Sequence, residues 1–227
     1  MIHVLFDIDE TMVSLPKGLN SRASGLMFKK VFNVNTNEET VDNFSKTESW
    51  IIKATLDKIG VKIKKVPVTT YKVWAEETSK MLLNIKAKVL PGIPELLDNL
   101  SENKKIKLSF LTGNSPWRAD AKLHQTKLCK YFVSSSQHKL RGIFGDVSDE
   151  RIDLLKTFLK KIDKNDKVII IDDSLIGAMM SKVLGVPSIL VATGKIPKSL
   201  LNKYSKNVFD DFGNNRWKRV VSIIENI

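Results

Sequence analysis

Short apolar runs alternate with helical patterns along most of the chain. The predicted strands cover residues 2–5, 106–111, 168–171, 188–191 and a short 208–209. The predicted helices cover residues 93–102, 116–128, 175–184 and 216–225. Continuous apolar runs of strand length are typical of parallel strands that are buried on both faces. Strands that alternate with helices in this way predict an α/β fold, with a parallel sheet and right-handed crossovers.

The stretch from residue 15 to residue 88 has a different pattern. Apolar residues recur there at helical spacing in three segments, and polar loops separate the segments. Alternation typical of a strand is not evident before residue 90. A chain of 227 residues is long enough for one α/β domain with an insertion. We therefore expect a core domain of residues 1–14 and 89–227, and a small helical domain of residues 15–88 inserted after the first strand.

Polar side chains stand at the ends of three predicted strands. Asp7 and Asp9 follow the first strand, Thr112 follows the second, and Asp172 and Asp173 follow the third. A single carboxylate there could be a turn former or a helix cap. In an open parallel sheet, however, ligands bind at the carboxyl ends of the strands, so all five side chains would meet at one edge. Four carboxylates in one place call for a cation, and Mg²⁺ prefers such hard oxygen ligands. The pattern favours metal-assisted phosphoryl transfer, in which one carboxylate attacks and another moves a proton.

These residues carry a resemblance to the haloacid dehalogenase superfamily, in its magnesium-dependent phosphatase branch. Asp7-Ile8-Asp9-Glu10-Thr11 resembles the first motif, and Leu111-Thr112-Gly113-Asn114 resembles the second in its phosphoglycolate-phosphatase-like form. Ile171-Asp172-Asp173-Ser174, with Gly177, is similar to the fourth motif in a form nearer to sugar-phosphate mutases. Ser45-Lys46-Thr47-Glu48 takes the place of the substrate loop of a helical cap. The resemblance implies a Rossmann-like core and makes residues 15–88 the cap.

The resemblance also implies a role for each of these residues. Asp7 would attack phosphorus, Asp9 would move the proton, and Arg151 would offset the developing charge. The implied catalytic residues are Asp7, Asp9, Thr112 and Arg151. The implied substrate-binding residues are Gly113, Asn114 and Lys46. The implied ligands of Mg²⁺ are Asp7, Asp9 through its carbonyl, Asp172 and Asp173.

The chain departs from the family pattern at two positions, and its third motif is not clear. Glu10 stands where the first motif usually has glycine, and Ser45 stands where the cap loop usually has glycine. The cation of the third motif is either Arg151, which we favour, or Lys156. Each of these two cations could instead be a solvated helix residue.

The expected function is Mg²⁺-dependent hydrolysis of a small phosphate monoester, phosphoglycolate-like or a sugar phosphate, through an aspartyl-phosphate. A sugar phosphomutase is the alternative within the superfamily, because of the form of the fourth motif. A non-catalytic basic binding protein is the alternative from another class, because of Glu10 and a net charge of +12. The lysines are scattered, so we favour a solvated basic surface over a nucleic-acid site.

The composition and the first residues indicate the compartment and the kind of partner that we expect. The single cysteine, Cys129, excludes an internal disulfide and fits a reducing compartment. No apolar run approaches the roughly 20 residues that span a bilayer. The first residues are a poor signal peptide, because Asp7 interrupts them. We expect a cytoplasmic monomer or homodimer, without a membrane partner, whose partner is a small phosphorylated metabolite.

Overall fold

The computed structural model describes residues 1–133 and 139–227 as a sheet flanked by helices and a helical insertion. The strands are β1 (Ile2–Phe6), β2 (Val13–Ser14), β3 (Lys88–Val89), β4 (Ile106–Leu111), β5 (Gly142–Ile143), β6 (Lys167–Asp172), β7 (Ser188–Val191) and β8 (Val208–Phe209). The helices are α1 (Leu19–Phe32), α2 (Glu48–Lys58), α3 (Val68–Leu82), α4 (Ile93–Glu102), α5 (Pro116–Leu123), α6 (Arg151–Leu159), α7 (Leu175–Leu184), α8 (Lys198–Leu201) and α9 (Arg216–Glu225). No helix in these described ranges is long and apolar enough to cross a bilayer.

The main sheet has six strands in the order β5-β4-β1-β6-β7-β8, and every neighbouring pair is parallel. β1 lies inside the sheet, with Phe6 opposite Phe110 of β4 on one side and Ile171 of β6 on the other. The predicted α/β class with a parallel, Rossmann-like sheet is therefore confirmed.

Helices cover both faces of this sheet, which explains its continuous apolar strands. On one face α4, α5 and α9 pack against Val4 and Phe6 of β1. On the other face α6 and α7 pack against Leu5. Successive residues of β1 thus enter opposite cores, because side chains alternate along a strand.

The helical insertion has a core of its own. α1, α2 and α3 bury Trp74, Phe28 and Ile52 together, away from the sheet. β2 and β3 pair antiparallel, with Val13 opposite Val89, so the two connections to the sheet run side by side. The division into a core of residues 1–14 and 89–227 and a cap of residues 15–88 stays a prediction.

Most predicted elements coincide with observed ones. The predicted helix over 116–128 is too long, because α5 ends at Leu123 and two 3₁₀ turns follow it. Lys127 separates these turns in a left-handed conformation, with φ of 60°. The short strands β2, β3 and β5 and the short helix α8 are absent from the prediction, since two to four residues carry no readable period. The nine-residue helix α6 is also absent from it.

Candidate active site

Three buried carboxylates meet at the carboxyl ends of β1 and β6. Asp7, Asp172 and Asp173 each offer an oxygen, and these oxygens lie within 4.8 Å of one another. The Asp7 amide donates to the Ile171 carbonyl at 3.0 Å, which ties the first motif to the neighbouring strand. The structure therefore brings together three of the four carboxylates that the sequence singled out.

Arg151 is the cation that reaches this cluster. Its guanidinium lies 3.2 Å from Asp7 and 3.0 Å from Asp172, and its side chain is only 4% exposed. Lys156, the other candidate for the third motif, is exposed and bonds Asp153 at 3.1 Å. The position of the cluster thus favours Arg151, at the first turn of α6, over Lys156.

The electrostatics of the cluster suit a divalent cation. Burial raises the pKa of Asp7 to about 6, and Asp172 adds to the rise, while Arg151 opposes it. Burial and the nearby Asp172 raise the pKa of Asp173 well above its ordinary range. Crowded buried carboxylates resist ionisation unless positive charge compensates them. Their hard oxygen donors are those that Mg²⁺ prefers.

Local contacts fix the two acids that end β6. Ser174 donates to Asp172 from its amide at 2.8 Å and from its hydroxyl at 2.6 Å. The Thr11 hydroxyl donates to Asp173 at 3.3 Å. A Cβ at Gly177 would lie 2.2 Å from the Asp172 carboxyl carbon, so this residue of the fourth motif must be glycine for Asp172 to keep its place.

Asp9 is not part of the group of three acids and has its own polar partners. Its two oxygens accept from the Lys122 ammonium at 2.8 and 2.7 Å, and one accepts from the Asn114 amide at 2.8 Å. Burial is the largest influence and raises the pKa of Asp9, but Lys122, Arg118 and Asn114 together outweigh it, so the net pKa is lowered. Asn114 also donates to the Thr112 hydroxyl at 2.9 Å. The second motif and Asp9 therefore form one hydrogen-bonded group.

The two departures from glycine occupy the same backbone region. Glu10 has φ of 54° and Ser45 has φ of 55°, in the left-handed region that favours glycine. Ser14 donates to the Glu10 carboxylate at 2.9 Å, and the Thr193 hydroxyl donates to the Glu10 carbonyl. The backbone shape at both positions is kept although the residue differs.

The loop before α2 and the first residues of α2 lie against Gly113 of the second motif and against Gly145. The Glu48 amide donates to the Gly113 carbonyl at 2.8 Å, and the Ser49 amide donates to the Gly145 carbonyl at 3.1 Å. A Cβ at Gly113 would lie 2.5 Å from the Lys46 carbonyl oxygen. Gly113 thus permits the close approach that carries Lys46 to the site.

The sequence analysis missed two buried cations of α5. Arg118 bonds Glu48 at 2.8 Å and Asn20 at 2.7 Å, and its guanidinium lies 4.0 Å from the centre of the Trp74 ring. Lys122 bonds Asp9 one turn later. The sequence signal was their spacing of four residues, which places both on one helix face. Their carboxylate partners, however, depend on the fold and could not be found from that spacing.

A cavity of about 480 Å³ opens between the insertion and the sheet edge. The predicted site residues that line it are Asp7, Asp9, Lys46, Gly113, Asn114, Arg151 and Asp173. Thr112 and Asp172 are buried beside this cavity. Glu38, Arg118, Lys122, Lys17 and Lys195, which the sequence did not single out, also line it. The cavity therefore joins the acidic cluster to charged side chains of both the insertion and the core.

Comparisons with known proteins agree with this architecture. The family model of haloacid dehalogenase-like hydrolases matches residues 4–191. No curated protein is a significant sequence match to the chain. CbbY from Rhodobacter sphaeroides, solved with phosphate, has a TM-score of 0.66 and 16% identity over 93% of this chain and 95% of that chain. A hydrolase from Pseudomonas syringae has a TM-score of 0.60 and 17% identity over 91% of this chain and 92% of that chain.

A candidate beta-phosphoglucomutase from Bacteroides vulgatus has a TM-score of 0.64 and 18% identity over 99% of this chain and 90% of that chain. Identities this low show a shared fold. The family match over most of the chain confirms the resemblance that the motifs predicted.

Proposed function

The chain belongs to the haloacid dehalogenase-like hydrolase family, and we propose that it hydrolyses a small phosphate monoester through an aspartyl-phosphate. One observation in the site supports this proposal most strongly. The buried Asp7 carboxylate lies beside Arg151 at the cavity, while Asp9 lines the same cavity and is bonded to Lys122 and Asn114. This arrangement separates a nucleophile from an acid and base, as the two-step reaction requires.

In the first step, an oxygen of Asp7 attacks phosphorus and the bond to the leaving oxygen breaks. Asp9 gives a proton to that leaving oxygen, and the alcohol departs. In the second step, a water attacks phosphorus of the aspartyl-phosphate and Asp9 takes its proton. Free phosphate leaves and the Asp7 carboxylate is restored.

Several groups would stabilise the charge that develops on the phosphoryl oxygens. The Arg151 guanidinium already lies against the nucleophile, at 3.2 Å. Thr112, with the backbone amides of Gly113 and Asn114, would hold the phosphoryl group at the end of β4. Such preorganised donors stabilise a transition state without reorganisation at the moment of reaction.

The residues present fit the Mg²⁺ that we expect as cofactor. Asp7, Asp172 and Asp173 would hold it with their carboxylates, and Asp9 with its carbonyl. When bound, Mg²⁺ would neutralise the negative charge that otherwise separates the nucleophile from the phosphate. The Ser174 and Thr11 hydrogen bonds orient two of these carboxylates before any ion arrives.

We further propose that residues 15–88 act as a cap that encloses the substrate. The loop carrying Lys46 lies against Gly113, and the cavity is lined from both the insertion and the core. An enclosed site excludes bulk water from the aspartyl-phosphate until the second step. A cavity of about 480 Å³ suits a small phosphorylated metabolite.

A sugar phosphomutase is the second candidate. Gly177 packs against Asp172 and Ser174 caps α7, which are the features of the mutase-like fourth motif. The two activities differ in product, because a mutase returns an isomeric sugar phosphate and a phosphatase releases free phosphate. The non-catalytic binding protein is less well supported, since a cluster of three buried carboxylates with Arg151 beside it suits catalysis. Salt-sensitive binding of DNA or RNA would favour it.

A panel of phosphate esters, with free phosphate as the readout, tests the proposal. Wild-type protein with Mg²⁺ should release phosphate from at least one ester. Asp7→Asn should lose at least about 10³-fold in turnover, because an amide is a poor nucleophile. The variant should still unfold in one cooperative thermal transition, since the two side chains are nearly the same size. Substantial activity in Asp7→Asn, or none in the wild type over a broad panel, would contradict the proposal.

A further inference from the structure

Lys122 is a buried cation at the catalytic edge, and the family motifs assign it no role. Its side chain is 1% exposed. Its ammonium lies 2.8 and 2.7 Å from the two oxygens of Asp9 and 2.6 Å from the Asn114 side-chain oxygen. An ammonium has three hydrogens to donate, and here three acceptor oxygens surround it. The three hydrogens of the Lys122 ammonium are therefore all used in hydrogen bonds to Asp9 and Asn114.

Asp9 depends on this contact for a defined orientation. Its side chain is 36% exposed at the cavity. The Asn114 amide contacts one of its oxygens at 2.8 Å, whereas Lys122 contacts both. An Asp side chain at a cavity has several staggered positions open to it. A two-oxygen contact with a buried cation selects one of them.

The element that carries Lys122 is itself fixed. α5 begins at a Ser115 cap, and its Ala119 and Leu123 are buried in the core of the sheet. One turn before Lys122, Arg118 bonds Glu48 of the insertion at 2.8 Å. Groups on anchored helices hold a geometry more exactly than groups on loops. Lys122 thus presents its ammonium to Asp9 from a rigid support.

We propose that Lys122 is a positioning residue for Asp9, an inference that rests on the proposed phosphatase function. It holds the carboxylate where an oxygen can give a proton to the leaving oxygen and later take one from water. Proton transfer needs the donor within hydrogen-bond reach, so a rotated Asp9 loses the step although it remains present. The competing explanation is a structural cation that matters only for folding.

Two esters that differ in their leaving group separate these explanations. An alkyl phosphate such as glycerol phosphate needs a proton on its departing oxygen, whereas dinitrophenyl phosphate releases a stable phenolate. The ratio kcat/KM is the quantity to compare, because it reports the steps up to departure of the leaving group. Lys122→Met should lower kcat/KM for the alkyl ester about 100-fold, and for the dinitrophenyl ester less than about 10-fold.

Three further variants sharpen the test. Lys122→Gln keeps one donor but no two-oxygen charged contact, so it should show the same contrast in a weaker form, and it serves should the methionine variant fold poorly. Lys127→Met, at an exposed lysine five residues later, should change neither ester. Asp9→Asn with Lys122→Met should be no worse than Asp9→Asn alone, because both changes remove the same step.

Equal losses on both esters would overturn the inference, and so would losses that multiply in the double variant. Either result with an active wild type leaves the phosphatase proposal standing. A wild type inactive on both esters, and on the wider panel, would reject the phosphatase function and this inference with it.

Discussion

At the scale of single residues, Glu10 and Ser45 differ from the family motifs in side chain but not in backbone conformation. Glu10 and Ser45 replace glycine, yet both keep φ near 55°. A residue other than glycine in this region costs about 1 kcal/mol. For Glu10, the hydrogen bond from Ser14 at 2.9 Å offsets part of that cost. The backbone turn after Asp9 is therefore the constrained feature, and the residue identity is secondary.

Substitutions at Glu10 test this explanation. Glu10→Gly removes the backbone strain, whereas Glu10→Ala keeps the strain and loses the Ser14 hydrogen bond. We expect Glu10→Ala to be less stable than Glu10→Gly by about 1 kcal/mol. The measurement is the free energy of unfolding in denaturant. Glu95→Ala, at an exposed position of α4, should differ little from wild type. Equal stability of the Ala and Gly variants at position 10 would contradict the strain.

Residue identity at the site was only partly readable from the sequence. Asp7, Asp172 and Asp173 could be found because they end apolar strands, and parallel strands place such ends at one edge. Lys122 could not be found from the sequence, because a lysine on a polar helix has the same pattern as a solvated residue. Only the fold brings it to Asp9. Arg151 and Lys156 likewise differ in role only through their distance from the carboxylates.

At the scale of elements, several of the longer segments were predicted almost to the residue, although α6 was not predicted and α5 is shorter than predicted. α4, α7, α9, β4 and β7 match their predicted ranges, because their apolar periods extend over enough residues to be unambiguous. β5 has two residues and no period. A Cβ at Gly142 would lie 2.6 Å from the Phe110 carbonyl, so its pairing with β4 depends on a close backbone approach. Tertiary contact rather than local pattern defines such an element.

Two glycines in helices allow a paired test of element packing. Alanine in a helix is normally more stable than glycine, by about 1 kcal/mol. Gly25→Ala in α1 should follow this rule, since its Cβ would have ordinary contact with the Thr36 carbonyl at 3.6 Å. Gly177→Ala in α7 should instead destabilise by about 1–3 kcal/mol, because its Cβ would collide with Asp172 at 2.2 Å.

Thermal and denaturant unfolding of both variants give the comparison. A stabilised Gly177→Ala would show that α7 can shift without cost, and would contradict the close packing of the fourth motif. Gly25→Ala controls for the general effect of alanine in a helix of this chain.

At the scale of the whole molecule, the site depends on the insertion as well as on the sheet. The Arg118 ion pair with Glu48 is buried, with side chains 3% and 2% exposed. Asp149 on the core side bonds Ser49 at 2.6 Å and Lys53 at 2.8 Å. These contacts hold the Lys46 loop over Gly113. Sequence patterns predicted that a helical insertion exists, but not these contacts, because partners this distant in the chain leave no local signal.

The proposed cap role of Lys46 gives a prediction at this scale. Its ammonium lies 4.9 Å from the centre of the Trp50 ring, in the wall of the cavity. Lys46→Ala should lower kcat/KM about 10-fold for the best substrate, since the charge-assisted hydrogen bond that we propose between Lys46 and the substrate would be lost. A small aryl phosphate should be affected less, because it does not reach this wall. Lys58→Ala, at the exposed end of α2, is the control. Equal losses on both substrates would argue against a specificity role.

The acidic cluster, assembled from β1 and β6, gives the last prediction, which concerns pH and metal together. Burial raises the pKa of Asp7 to about 6, and that of Asp173 also rises well above its ordinary range. A carboxyl whose pKa is higher in the folded state favours folding below its unfolded pKa, and that contribution is lost as pH rises through the folded pKa. The metal-free protein should therefore lose stability from this cluster as pH rises through about 6. Mg²⁺ binds only the ionised carboxylates, so its stabilising effect has the opposite sign.

We expect saturating Mg²⁺ to raise Tm clearly at about pH 7.5 and little at about pH 5, because the ligands keep their protons at the lower pH. Asp173→Asn should abolish the Mg²⁺ effect and raise the Tm of the metal-free protein at the higher pH, since one buried charge is gone. Thermal unfolding of the wild type and of Asp173→Asn, with Mg²⁺ or with a chelator and at both pH values, gives the Tm values to compare. A Tm increase of the same size at both pH values, or one that persists in Asp173→Asn, would place the bound ion elsewhere on the protein.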